Sequence, residues 1–265
     1  MNVQIGRLRI ALSLGLAVLA LAGCTPTFTR LAAAPGGRVG IADTMSPSGL
    51  RNIHIGYMAF GNYDNDLGND WHLEQRARDE TRELLRQAGY QIVDVTLEPA
   101  QVATIRAGKD QAQQDSNGLD DAWKKTYQEI LDKQHLVALV VLRDDRVAAS
   151  EYGEPLVGYG IRSAQGRVPT VGYIFATEMA DVIGGNPPHR TIGTCYNSEP
   201  LDTSPVHLDN WVDAKLADFE PLRPKFEALI DKRIRFQLDS SGLLSEQAVC
   251  LPPVYPHHPP SRKLQ

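Results

Sequence analysis

Leu136-Val137-Ala138-Leu139-Val140-Val141-Leu142 is the stretch on which the fold turns. Seven apolar residues stand in a row between Gln134-His135 and Arg143-Asp144-Asp145. The run does not alternate, is too short for a membrane span and is rich in Val and Leu. It therefore reads as a strand covered on both faces, central in a sheet.

Upstream, a helix capped by Asp120 sets Trp123, Tyr127, Ile130 and Leu131 on one face. The polar stretch Glu98–Asn117 has a helical front half, with an exposed loop expected over Gly108–Gly118. Before it, Tyr90–Val95 reads as a strand. A helix from an Asp70 N-cap to Ala88 carries Leu73, Ala77, Leu84, Leu85 and Ala88 at spacings of three and four, and Gly89 ends it in the left-handed conformation. Ile53-His-Ile-Gly-Tyr-Met-Ala-Phe60 is the opening strand. Downstream, Val157–Ile161, Val171–Ala176 and Arg190–Cys195, separated by Gly- and Pro-bearing turns, read as an antiparallel meander. A segment opened by Asp209 or Asn210 follows, carrying Trp211, Leu216 and Phe219 and interrupted by Pro221 and Pro224. The closing helix holds Phe226, Leu229, Ile230, Ile234 and Leu238 and stops at Gly242. The expected fold is α/β (α+β): a mixed sheet with an opening β-α-β-α-β unit, an antiparallel meander and C-terminal helices.

The first 23 residues do not belong to this body. Arg7 and Arg9 precede an apolar run from Ile10 to Ala20, too short to span a membrane comfortably, and the segment closes on Leu21-Ala22-Gly23-Cys24. Those four residues resemble the lipobox of bacterial lipoproteins. The resemblance implies cleavage before Cys24 and acylation of its thiol, so that the bilayer is a partner through the lipid. Thr25 stands where an aspartate would imply retention in the inner membrane, so the expected location is the outer membrane, periplasm-facing. The chain then divides into a signal peptide (1–23), a lipid-anchored spacer rich in Ala, Gly, Pro and Ser (24–50), a single domain (51–249) and a Pro-rich tail (250–265).

Losing the two leader arginines moves the formal charge from −5 to −7. An acidic surface without a basic stripe argues against nucleic acid. Apart from Cys24, the cysteines are Cys195 and Cys250, an even pair in an oxidising compartment. They are either bonded or two separate thiols. A bond would close a loop of about 55 residues, worth roughly 4 kcal/mol on the chain-entropy estimate.

Two features together resemble a group of envelope proteins. One is the strand–helix–Gly–strand unit from Ile53–Phe60 to Leu84-Leu-Arg-Gln-Ala-Gly-Tyr-Gln-Ile-Val-Asp94. The other is the apolar strand after the second helix, with its meander and long C-terminal helix. The order is similar to the N-terminal domain of the Tol-system protein TolB and to lipoproteins such as CsgG and the penicillin-binding-protein activator LpoB, over roughly residues 50–244. The resemblance implies an envelope lipoprotein that works by binding another protein, and it carries no functional residue across.

Catalytic signatures are few. There is no Gly-x-Ser-x-Gly elbow, phosphate loop or His-Glu-x-x-His helix, so no enzyme and no cofactor is expected. His54 reads as a satisfied structural histidine inside a strand. His257-His258 form a poor chelate in a Pro-rich tail. The one acidic constellation, Asp64-Asn-Asp66-Leu-Gly-Asn-Asp70 with Glu74 beyond, offers oxygen ligands. Its glycine and terminal acid miss the calcium-loop spacing, and a solvated turn with helix-capping acids is the simpler reading. Trp71, Trp123, Trp211, Phe219 and Phe226 are expected in the core. Tyr152, Tyr159 and Tyr173 line either a peptide-binding face or ordinary strands. Two other functions stay open beside protein binding: a small-ligand or cation module, and a hydrolase built from dispersed residues.

Overall fold

The computed structural model describes residues 31, 33–45, 49–55, 63–111, 121–144, 157–164, 172–176, 178–186, 188–191, 198–201 and 212–245. The strands are β1 (Arg38–Asp43), β2 (Leu50–Ile55), β3 (Tyr63–Asp66), β4 (Gln91–Asp94), β5 (Ala138–Asp144), β6 (Tyr159–Ala164), β7 (Gly172–Ala176), β8 (Glu178–Gly184), β9 (His189–Thr191) and β10 (Ser198–Leu201). The α-helices are α1 (Leu73–Gln87), α2 (Pro99–Gln111), α3 (Asp121–Gln134) and α4 (Arg223–Ser240), with a 3-10 helix over Leu216–Leu222. The class is the mixed α/β (α+β) architecture expected, with closing helices.

There are two sheets where one was expected. The first runs β4-β1-β5-β8-β9 and the second β10-β7-β6-β2-β3. In the first, β1 pairs parallel with β4 and β5, and β8 returns antiparallel to β5. In the second, β2 pairs parallel with β6 and antiparallel with β3, while β7 lies between β6 and β10. The same chain segments build both: β1 precedes β2, β5 precedes β6, and one residue separates β7 from β8.

The apolar run is explained by its surroundings. β5 is the middle strand of the first sheet and is buried on both faces. Ala138, Val140 and Leu142 pack in one cluster with α1 and α4. Leu139 and Val141 pack in another with Ile105 of α2 and Trp123, Tyr127, Ile130 and Leu131 of α3. The larger cluster continues into the second sheet through Leu50, Tyr159, Ile161, Ile174 and Ala176. Trp71, Trp123, Phe219 and Phe226 are buried as expected, whereas Trp211 lies outside the described residues.

Several boundaries differ from the sequence reading. The expected spacer 24–50 contains β1, which sits between β4 and β5, so the folded body starts before residue 51. The opening strand of the β-α-β-α-β unit is therefore β1; the Ile53 strand is β2, spans Leu50–Ile55 and belongs to the other sheet. Helix α2 extends to Gln111, beyond the Gly108 at which a loop was expected. Asp70 does not cap α1: it stands in an exposed turn, and His72, in the left-handed conformation, is the N-cap. Gly89 does close α1 with φ near +86°, its N–H bonding to the Arg86 carbonyl while Tyr90 N–H reaches Leu85. Pro224 falls in the first turn of α4, where a missing N–H is harmless, and Pro221 sits in the 3-10 segment before it.

Candidate functional site

Polar groups gather where the second sheet meets its edge. Register places His54 of β2 opposite Ser163 of β6 on one side and opposite Tyr63 of β3 on the other. The His54 Nδ1 and Ser163 Oγ atoms are 2.8 Å apart, and the imidazole stacks on the Tyr63 ring with centroids 5.1 Å apart. The Tyr63 hydroxyl lies in hydrogen-bonding reach of Ser163 and of Asn52, two residues before His54 on the same face. Burial pushes the His54 pKa down and so favours the neutral ring. Burial likewise raises the Tyr63 phenol, against the lowering effect of its bonds to Ser163 and Asn52.

A hydroxyl against a neutral imidazole is the geometry of an activated nucleophile. Ser163, however, is only 3 % exposed. Its neighbours on that face, Tyr159 and Ile161, belong to the core cluster. What the arrangement does is clamp β2 to both of its neighbours with side-chain bonds. His54 is thus a satisfied histidine, as its sequence context suggested. No local pattern marks the group, because Asn52, His54 and Tyr63 come together with Ser163 only through the register of β2 with β6, 109 positions further along the chain.

The second polar centre lies at the seam between the sheets. Arg143, at the end of β5, pairs with Asp181 of β8; their side chains are 6 % and 1 % exposed. Beside them, Gln237 of α4 accepts the Ala180 N–H at 2.6 Å. Arg233 and Asp239 of the same helix are also buried. A charge so placed requires its partner, because removing either leaves the other desolvated and unpaired.

The acidic constellation does not converge. Asp64 pairs with Arg51 across the β2–β3 ladder, and Asp66 accepts the Gly68 N–H at 2.8 Å. Asp70 is exposed, and Glu74 accepts the Asn69 amide at 3.0 Å. Among the described residues, no three His, Cys, Asp or Glu side chains are gathered so as to hold a metal ion. Tyr159 is buried in the core and so does not line an open peptide-binding face. Cys24, Cys195, Cys250, His257, His258 and Tyr152 lie outside the described residues. Large hydrophobic side chains exposed among the described residues are Val137 and Val212. No described helix is long and apolar enough to cross a membrane.

No protein-family model, curated protein or solved structure matches the chain.

Proposed function

We propose that this chain is an outer-membrane lipoprotein, anchored through an acylated Cys24 and facing the periplasm, whose α/β body binds or positions another envelope protein. The observation that carries the reading is Leu21-Ala-Gly-Cys24 at the end of a charged and then apolar leader. Only a thiol at that place accepts the lipid, and several acyl chains hold a protein on a bilayer far more firmly than one. A body with a continuous core and side-chain clamps between strands suits a rigid scaffold, and the buried Ser163 gives little support to turnover.

Growth of cells with a labelled fatty acid, comparing wild type with Cys24→Ser, tests the anchor. The wild type is expected to carry label and the variant none; equal incorporation overturns it. Affinity recovery from cross-linked envelopes tests the role: a stoichiometric protein partner is expected, and recovery of the chain alone overturns the binding reading.

A further inference from the structure

We propose that one rim of the first sheet rests against the membrane surface, so that the second sheet is presented away from it. The proposal depends on the reading that Cys24 is acylated. The orientation is set by where the body takes hold of the chain.

Had residues 24–50 been a free spacer, a flexible coil of that length would have an r.m.s. reach of about 28 Å and leave orientation open. The chain is instead fixed at Leu31. That side chain is buried, and its backbone N–H donates to the Ser241 carbonyl at 2.7 Å, just past the end of α4. Its methyl groups lie 3.0 Å from where a Cβ on Gly184 would stand, a contact that a larger residue would crowd. Two further bonds hold the following residues down: the Tyr90 hydroxyl donates to Ala33 O at 3.2 Å and Gly36 N–H to Gly89 O at 2.9 Å. From Cys24 to Leu31 there are only seven residue steps, at most about 25 Å of chain and about 15 Å in the r.m.s. for a coil. Whatever those residues do, the acyl chains and the Leu31 rim stay close together.

The charge pattern of the sheet fits that placement. Register sets Arg38, Gln91, Ala138 and Gly184 along one rim. The described connecting residues there are 31, 33–37, 88–90, 135–137, 185–186 and 241–245, and none of them is Asp or Glu in a chain that has 32. Val137, 42 % exposed, projects at this rim beside Gly37. The other ends of the same strands carry Asp43, Asp94, Asp144 and Glu178. Carboxylates are repelled by anionic headgroups within a Debye length; the exposed acids nearest this rim, Glu83 and Asp132, stand back in the last turns of α1 and α3, so its connecting residues approach phospholipid at less cost than the acid-bearing ends do. The second sheet begins beyond the acidic ends, because β7 finishes two residues before Glu178 opens β8. At ~3.3 Å per residue, the run of β8 puts those acidic ends, where the second sheet joins the first, roughly 20 Å from the rim.

The test uses full-length acylated protein in phosphatidylethanolamine–phosphatidylglycerol vesicles with headgroup-labelled acceptor lipid. A genetically encoded fluorescent amino acid is placed at Val137 or at the distal Asp64, with exposed Gln91 and Asp66 as a second pair should either fail to fold. Energy transfer from the rim positions is expected to exceed that from the distal ones by about twofold, given a separation of roughly 20 Å or more. A Gly/Ser insertion of about 20 residues after Thr25, which roughly doubles the r.m.s. reach, is expected to remove most of that difference. Equal transfer from rim and distal positions in protein shown by mass spectrometry to be acylated overturns the orientation alone. An unmodified Cys24 overturns the orientation together with the anchor reading.

Discussion

The two sheets handle buried polarity in opposite ways. In the first, β1, β5 and β8 are buried on both faces, and a charge enters only with a counter-charge: Arg143 and Asp181 meet from positions 38 residues apart. In the second, polar side chains stand beside the core near a sheet edge, and His54 meets what register puts next to it, Ser163 and Tyr63. A strand enclosed by helices has no water to fall back on, so its polar groups must be matched one to one. A half-open edge tolerates softer, titratable groups.

The largest expected effect tests the enclosed side of that contrast. Asp181→Ala leaves the Arg143 guanidinium buried without its carboxylate, a loss of about 3–5 kcal/mol. For a protein of this size that lowers Tm by on the order of 10 °C. Arg143→Met combined with Asp181→Leu is expected to recover most of the loss, since neither charge then remains. Calorimetry in which the double variant melts as low as the single one would break the distinction.

The edge predicts a pH dependence. The His54 pKa lies below its ordinary value in the folded protein, so as pH falls through about 6.5 the unfolded chain takes up the proton first. Stability at the β2–β3 edge is therefore lost on acidification, from about 6.5 down to the folded value, and is fully present above it. Denaturant melts across this range are expected to slope less in His54→Gln than in wild type; parallel slopes would show that the imidazole is not desolvated there.

The smallest effect is expected at the acidic constellation. Asp64→Asn with Asp66→Asn removes an exposed ion pair and a turn bond, about 0.2–1 kcal/mol for such a pair. Melting is expected to shift by no more than a few degrees and to be indifferent to millimolar calcium. A calcium-dependent rise seen in the wild type alone would reveal a site at this edge.

What could be read from the sequence follows the same division. β5 announced itself because a strand covered on two faces needs apolar residues at both parities. Helix α1 was visible through its stripe and Gly89, and α4 through its apolar residues and Gly242. β1 was hidden: Arg38-Val-Gly-Ile-Ala-Asp43 dilutes its apolar signal with Gly and Ala and follows an Ala/Gly/Pro-rich stretch. β8 was hidden for a different reason. Glu178-Met-Ala-Asp-Val-Ile-Gly184 carries an acid in its middle, and only the distant Arg143 explains why Asp181 is tolerated inside. Asp70 looked like a cap by residue type alone, but Trp71 is drawn into the core, where it packs on Phe226 and donates to Glu220 at 2.8 Å. The chain turns at His72 instead. The polar clamp of the second sheet could not be found locally, because its members come from three strands and no short window holds them.

The single residue between β7 and β8 has a mechanical consequence. A load applied to the second sheet along β7 passes down the backbone into β8, whose pairing with β5 extends over seven positions from Ala138↔Gly184 to Asp144↔Glu178. Ladder bonds lie across the strands, so such a load shears all of them together and does not peel them singly. At the far end of β8, Gly184 bears on Leu31, and through Leu31 on the close of α4. Tension arriving from the N-terminal chain enters β1 along the backbone, and β1 is paired on both sides, with β4 and with β5, so that load is shared across the first sheet and not carried by an edge strand.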